Sequence, residues 1–223
     1  MPFTDRAEAG RSLAVALRKF KGRKAVVLAL PRGGVPVAAE IAAALHAPLD
    51  LILVRKIGVP MQPELAMGAV VDGADPHVVR NEDVISLARV SEREFMAIRD
   101  RELLEIERRR RKYLGDRARA EIAGRVAIVV DDGIATGATI RAALQAVRPR
   151  GPEMVVLAVP VAPTSTLGEL RSAADEIVCL EDHEAFGAIG LYYRDFRQVS
   201  DQDVTGILSR FPAEPASEQS AVK

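Results

Sequence analysis

Residues 125–140, Arg125-Val-Ala-Ile-Val-Val-Asp-Asp-Gly-Ile-Ala-Thr-Gly-Ala-Thr-Ile140, constrain this chain's fold more than any other stretch. Val126 to Val130 form an unbroken apolar run, short enough for a strand buried on both faces. Asp131 and Asp132 follow where such a strand should end. After the small, hydroxylated loop Gly133 to Thr139, the residues Ile140, Ala143, Leu144 and Val147 recur at helical spacing. A strand, a tight loop and a helix in this order place an anion on the first free N–H groups of the helix. The glycines let the backbone approach a phosphate, and Thr136 and Thr139 add hydroxyl donors.

Two carboxylates beside a phosphate cradle would repel the ligand they help to bind. The conflict goes away if the ligand also carries vicinal hydroxyls and a divalent cation. A sugar phosphate with Mg²⁺ meets both conditions: the loop takes the phosphate and the acids accept hydrogen bonds from hydroxyls. The loop has no Gly-Lys-Ser/Thr ending and no Gly-x-Gly-x-x-Gly spacing. It therefore fits neither a Walker A loop nor a dinucleotide fingerprint.

Val129-Val-Asp-Asp-Gly-Ile-Ala-Thr-Gly-Ala-Thr139 closely resembles the phosphoribosyl pyrophosphate (PRPP) signature of type I phosphoribosyltransferases. The resemblance implies that Gly133, Ala135, Thr136, Gly137, Ala138 and Thr139 cradle the 5-phosphate. By the same resemblance, Asp131 and Asp132 bind the ribose hydroxyls. Mg²⁺ would be held mainly through PRPP, with the two acids reaching it through water. The resemblance covers about residues 24–180.

A second strand, glycine loop and helix precede this unit. Lys24 to Leu30 read as a buried strand, Pro31-Arg32-Gly33-Gly34 breaks it, and Val35 to His46 form an Ala-rich helix. Arg32 is placed to meet an anion beside free backbone N–H groups. In the resembled family a loop at this position binds pyrophosphate, which assigns Arg32, Gly33 and Gly34 to that group. Leu49 to Val54 read as the next strand, delivering Arg55 and Lys56 to its carboxyl end, where ligands of open α/β sheets gather. Arg55 and Lys56 are therefore further pyrophosphate candidates, with two solvated basic residues as the rival reading.

The remaining elements are plainer. Thr4 or Asp5 caps a first helix containing Leu13, Val15, Leu17 and Phe20. Residues 58–64 read as a loop, and residues 68–71 and 77–80 as a hairpin. Ser91 and Glu94 form a capping box opening a helix to about Tyr113. The basic run 108–112 follows Glu102, Glu105 and Glu107, so it reads as a solvated face with i,i+4 pairs rather than a nucleic-acid patch. Arg117 and Arg119 lie in a basic loop ahead of the signature, where the resembled enzymes carry a closing loop. Strands at 154–159 and 176–180 flank a helix over 163–173. Residues 186–196 hold four of the nine aromatics. The resemblance makes Phe186, Tyr192 and Tyr193 candidates for stacking on a nucleobase, against a plain packing role. Asp201 caps a last helix, and residues 212–223 are expected to be disordered.

Alternating strands and helices predict an α/β fold, a parallel sheet flanked by helices, and the resemblance implies an inserted helical and hairpin region and a small C-terminal hood around it. Residues 1–211 are expected to form one domain. Lys+Arg and Asp+Glu both number 31, so no global field favours nucleic acid or an anionic membrane. The single cysteine, Cys179, sits in an apolar run and suits a reducing cytoplasm. The start carries no signal-peptide pattern, and a homodimer is the default for soluble enzymes. The resemblance implies transfer of 5-phosphoribosyl from PRPP to a nitrogen acceptor, a nucleobase. Three rivals stand beside it: a PRPP- or nucleotide-binding regulator on the same fold, a PRPP synthetase (disfavoured by length), and a nucleic-acid binder (disfavoured by charge).

Overall fold

The computed structural model describes residues 1–73 and 76–211. In chain order the elements are α1 (Arg6–Ala16), β1 (Ala25–Ala29), α2 (Gly34–Leu45), β2 (Leu49–Leu51), β3 (Val54–Val59), β4 (Gln62–Val71) and β5 (His77–Arg80). They continue with α3 (Glu82–Leu87), α4 (Glu92–Leu114), β6 (Val126–Val130), α5 (Ala138–Val147), β7 (Met154–Pro163), α6 (Thr164–Leu170), β8 (Glu176–His183) and α7 (Asp201–Leu208). Five strands make a parallel sheet in the order β2-β1-β6-β7-β8, and β3-β4-β5 make a separate antiparallel sheet.

The period-2 alternation of the central strands sends side chains to two dry faces. Val27, Ala29, Ile128, Val130 and Val156 share one core with Leu13 of α1, Val37 of α2, Phe95 of α4 and Val204 of α7. Their neighbours Val26, Leu28, Ala127, Val129 and Leu157 share the other with Ile140 and Leu144 of α5 and Leu170 of α6. Each Val, Leu, Ile and Phe among them contributes roughly 1.5–3 kcal/mol on burial, and burial on both faces is why these strands read as continuous apolar runs. The helices α2 and α5 lie on opposite faces although β1 and β6 are neighbours. The carboxyl ends of β1 and β6 therefore bound the crevice where the winding reverses, the usual ligand position in an open α/β sheet.

Several expectations need correction. The strand expected over 49–54 ends at Leu51. Ile52 N–H still reaches Ala29 O at 2.9 Å, but Leu53 N–H donates to the Asp72 carboxylate at 3.1 Å, which turns the chain off the main sheet. Arg55 and Lys56 thus lie inside β3, not at the end of a core strand. Residues 58–64 belong to the irregular β3–β4 hairpin, in which Val59 pairs with Gln62. The hairpin over 68–71 and 77–80 is present as read. Helix α1 stops at Ala16, a 3-10 turn carries Phe20, and Val15 faces solvent at 65% exposure. The short helix α3, capped by Asn81, has no counterpart in the sequence reading. β7 and β8 run on to Pro163 and His183, and α6 is shorter than the helix expected over 163–173. Ser200, not Asp201, caps α7.

The capping box of α4 forms as expected, with Ser91 and Glu94 bonding reciprocally. Within its basic run Arg109 pairs with Glu105 and Arg111 with Glu107 at i,i+4. Arg110 is different: it turns inward to buried Asp72, which also pairs with Arg119. Arg117 donates to the Leu49 and Leu208 carbonyls, at 2.6 and 3.3 Å. These arginines tie residues 117–119 to the core. Cys179 is half-buried, and burial pushes its thiol up to about 11, which suits a packing role. Residues 212–223 lie outside the described residues. Among the described residues no helix is long and apolar enough to cross a membrane.

Candidate active site

The two glycine loops meet face to face. Leu30 N–H donates to Val130 O at 2.9 Å, bringing residues 31–34 alongside Asp131 and Asp132. Side chains are excluded at this seam. A Cβ on Gly33 would lie 2.0 Å from Asp132 Oδ2, and one on Gly34 would lie 2.7 Å from Val130 O. The Pro31–Arg32 peptide bond is cis. Glycine is required here by close approach rather than by backbone angle, since Gly33 sits at φ −60°.

The signature loop is held from below. Ile134 N–H donates to Val161 O at 2.9 Å, and the Thr166 hydroxyl donates to Ala135 O at 3.2 Å. Gly137, at φ +74°, caps α5 in the left-handed region, and a Cβ there would meet Thr166 Cγ2 at 2.7 Å. Ala135, Thr136, Ala138 and Thr139 are exposed at the N-terminus of α5. There the first-turn N–H groups and two hydroxyls are offered to an anion. Gly133 instead packs against Ile189 and Val161.

The acid pair is electrostatically loaded. Asp131 Oδ1 accepts from Asp132 N–H at 2.8 Å. Burial, and then the neighbouring Asp132 charge, push the Asp131 carboxyl well above the usual carboxylate range. Asp132 Oδ2 accepts from Arg6 Nε at 2.7 Å, and the Asp132 carbonyl accepts from the Tyr193 hydroxyl at 2.7 Å. Carboxylates of this kind suit a hard cation. Among the described residues no cluster of three or more metal-ligating side chains exists. Asp131 and Asp132 are the hard oxygen donors that the seam offers a divalent cation.

A cavity of about 340 Å³ opens beside this seam, lined by Arg6, Arg32, Gly33, Asp132, Phe196 and Gln198 among others. Arg32 lies 3.7 Å from Asp201, which Lys112 and the Tyr113 hydroxyl also hold. Arg55 and Lys56 are elsewhere. They pair with Glu102 and Glu64 and line a separate cavity of about 530 Å³ between β3 and α4. That cavity is larger, yet it includes none of the residues that meet at the β1–β6 seam.

The aromatics form two groups. Tyr192 stacks with His183 and Phe186, with centroids 4.6 and 5.0 Å apart. Tyr193 stacks with Phe196 at 5.0 Å, and the Arg6 guanidinium lies 3.9 Å from the Phe196 centroid. Of the three stacking candidates, only Tyr193 is bonded to the acid pair. Arg6, Thr166, Phe196 and Asp201 are site neighbours that the sequence reading did not include. Arg6 and Asp132 are 126 positions apart, and no local pattern links them.

A family model described as phosphoribosyl transferase domain matches residues 5–196. Two curated proteins, from two strains of Mycobacterium tuberculosis, carry phosphoribosyl transferase as a provisional name. Each is 47% identical over 208 residues, 93% of this chain and 46% of theirs. The chain thus spans about half the length of the curated relatives it matches. The crystal structure of TT1426 from Thermus thermophilus superposes with a TM-score of 0.82 at 41% identity, covering 96% of this chain and all of that one.

Proposed function

Because the chain belongs to the phosphoribosyl transferase domain family, we propose that it transfers 5-phosphoribosyl from PRPP to a nitrogen acceptor, a nucleobase. The observation that carries this reading is the β1–β6 seam. A phosphate cradle at α5, two carboxylates and an Arg-Gly-Gly loop meet there, spaced so closely that Gly33 has no room for a methyl. Three parts of one ligand are served: a terminal phosphate, a pair of hydroxyls and a second anionic group.

In this reading residues 135–139 hold the 5-phosphate, and Asp131 and Asp132 hold the ring hydroxyls. Mg²⁺, toward which Asp131 and Asp132 would be the protein's share, would offset charge on the pyrophosphate. The ribose C1–O bond to pyrophosphate breaks while a bond from C1 to the acceptor nitrogen forms, and the nitrogen's proton passes to solvent. Positive charge at C1 and negative charge on the leaving group develop together. Arg32 and the Gly33–Gly34 backbone stabilise the latter, a contribution of about 3–4 kcal/mol per key donor. The sequence pattern assigns Arg55 and Lys56 to the same role, although both are paired with glutamates across a different cavity. Tyr193, Tyr192 and Phe186 are the aromatic candidates beside the acceptor.

The test is a panel of nucleobases incubated with PRPP and Mg²⁺ and scored for pyrophosphate. Base-dependent release by the wild type, lost in Asp131→Asn/Asp132→Asn, supports transfer and names the acceptor. Saturable PRPP binding without release for any base would replace the reading with a PRPP-binding regulator.

A further inference from the structure

We propose that Arg6 is a positioning residue of the acid pair, holding Asp132 so that one carboxylate oxygen is committed to the protein and the other, Oδ1, is presented to a sugar hydroxyl. The inference rests on the phosphoribosyl reading and extends it to a residue in the first helix.

Three segments converge on Asp132. From the N-terminus, Arg6 Nε donates to Oδ2 at 2.7 Å, with both side chains 11% exposed. From the C-terminal segment, the Tyr193 hydroxyl holds the Asp132 carbonyl. From the β1 loop, Gly33 packs against the carboxylate so closely that a Cβ there would lie 2.0 Å from Oδ2 and 2.9 Å from Oδ1. The guanidinium is itself fixed. Its Nη1 donates to Arg197 O at 2.8 Å, and it lies over the Phe196 ring. The two chain ends are laced together around it: Phe3 N–H donates to Tyr192 O, Arg194 N–H to Phe3 O and Asp195 N–H to Thr4 O, at 2.8–2.9 Å. An arginine with this many constraints does not act as a loose counter-ion. It fixes the rotation of the carboxylate about its last bond. It also supplies positive charge beside two adjacent acids that would otherwise repel each other and a phosphorylated ligand.

The consequence is a selectivity that a packing role would not produce. A hydrogen bond from a sugar hydroxyl to a correctly turned carboxylate is charge-assisted, so removing that hydroxyl from the ligand weakens binding about tenfold or more. Calorimetric titration with ribose 5-phosphate and 2-deoxyribose 5-phosphate reads this ratio directly. The wild type is expected to prefer ribose 5-phosphate by about tenfold or more. In Arg6→Gln both affinities should fall with the lost charge, that for ribose 5-phosphate further, so that the ratio drops to within about threefold, and Arg6→Lys should recover part of it. Phe196→Leu leaves both charges but removes the ring under the guanidinium, and should give an intermediate ratio if Arg6→Gln proves too unstable to titrate. An unchanged ratio in folded Arg6→Gln and Phe196→Leu overturns the positioning role alone. Failure of the wild type to bind either sugar phosphate overturns the phosphoribosyl reading itself, and this inference with it.

Discussion

Gly33→Ala tests the seam between the two loops with a single methyl. Gly33 sits at φ −60°, which alanine adopts freely, so backbone strain does not enter. The new Cβ would lie 2.0 Å from Asp132 Oδ2 and 2.5 Å from its Cγ, where real contacts start above 3.0 Å. The carboxylate must therefore retreat by more than about 1 Å, away from a position pinned by Arg6 at 2.7 Å. Overpacking of this kind costs about 1–3 kcal/mol. For a domain of this size, that lowers Tm by roughly 2–12 °C. A 1 Å misplacement of a bound substrate costs on the order of 10²-fold in rate. The assay is thermal unfolding alongside pyrophosphate release: kcat/KM should fall about 10²-fold in a protein that still folds. A Gly33→Ala protein with wild-type Tm and wild-type kcat/KM would refute the wedged geometry. One with lowered Tm but unchanged kcat/KM would show that the place of the Asp132 carboxylate does not matter for turnover.

Three further perturbations separate the parts of the site. Gly137→Val forces a branched residue into φ +74° and against Thr166, so ribose 5-phosphate binding by calorimetry should be lost while inorganic pyrophosphate still binds; equal binding of ribose 5-phosphate would remove the loop from the phosphate site. Arg32→Ala should lower kcat/KM for PRPP by roughly 10²–10³-fold with ribose 5-phosphate affinity nearly unchanged. Lys56→Ala, whose ammonium rests on Glu64, should cost less than about tenfold, and a loss as large as that of Arg32→Ala would return Lys56 to the leaving group. Asp201 is held down at about 2 by Lys112, Tyr113 and Arg32. A depressed carboxylate stabilises the fold above its unfolded pKa, roughly 3.9, and loses that contribution as pH falls toward 2. Urea unfolding should therefore show Asp201→Asn less stable than wild type at pH 7, with the gap closing between about pH 4 and pH 2; a gap independent of pH would contradict the pairing.

What was legible in the chain follows from the range of the interactions involved. Strands buried on both faces advertise themselves as apolar runs, so β1, β6 and the parallel sheet could be read directly. The signature loop is also local: its acids, glycines and threonines are consecutive, and the cap at Gly137 lies within it. The capping box of α4 is local too. What failed depended on distant partners. The chain leaves the main sheet after Leu51 because Asp72, 19 residues on from Leu53, takes the Leu53 N–H. Nothing in residues 49–54 signals that exchange, which carries Arg55 and Lys56 into β3 rather than to the end of a core strand. Arg110 looks like any arginine of a charged helix until the fold brings Asp72 to it. Arg6 is the clearest case, since a first-turn arginine carries no mark of a carboxylate 126 residues away.

The most direct test of the central claim is calorimetric titration of the Asp131→Asn/Asp132→Asn protein with PRPP in the presence of Mg²⁺. Adjacent acids at a strand end, one of them pushed up by burial and by its neighbour, are costly to keep unless a ligand uses them. The wild type should bind PRPP saturably, and the double variant should fold yet show no measurable heat of binding. Wild-type affinity in the folded double variant would contradict the assignment of the acid pair to PRPP.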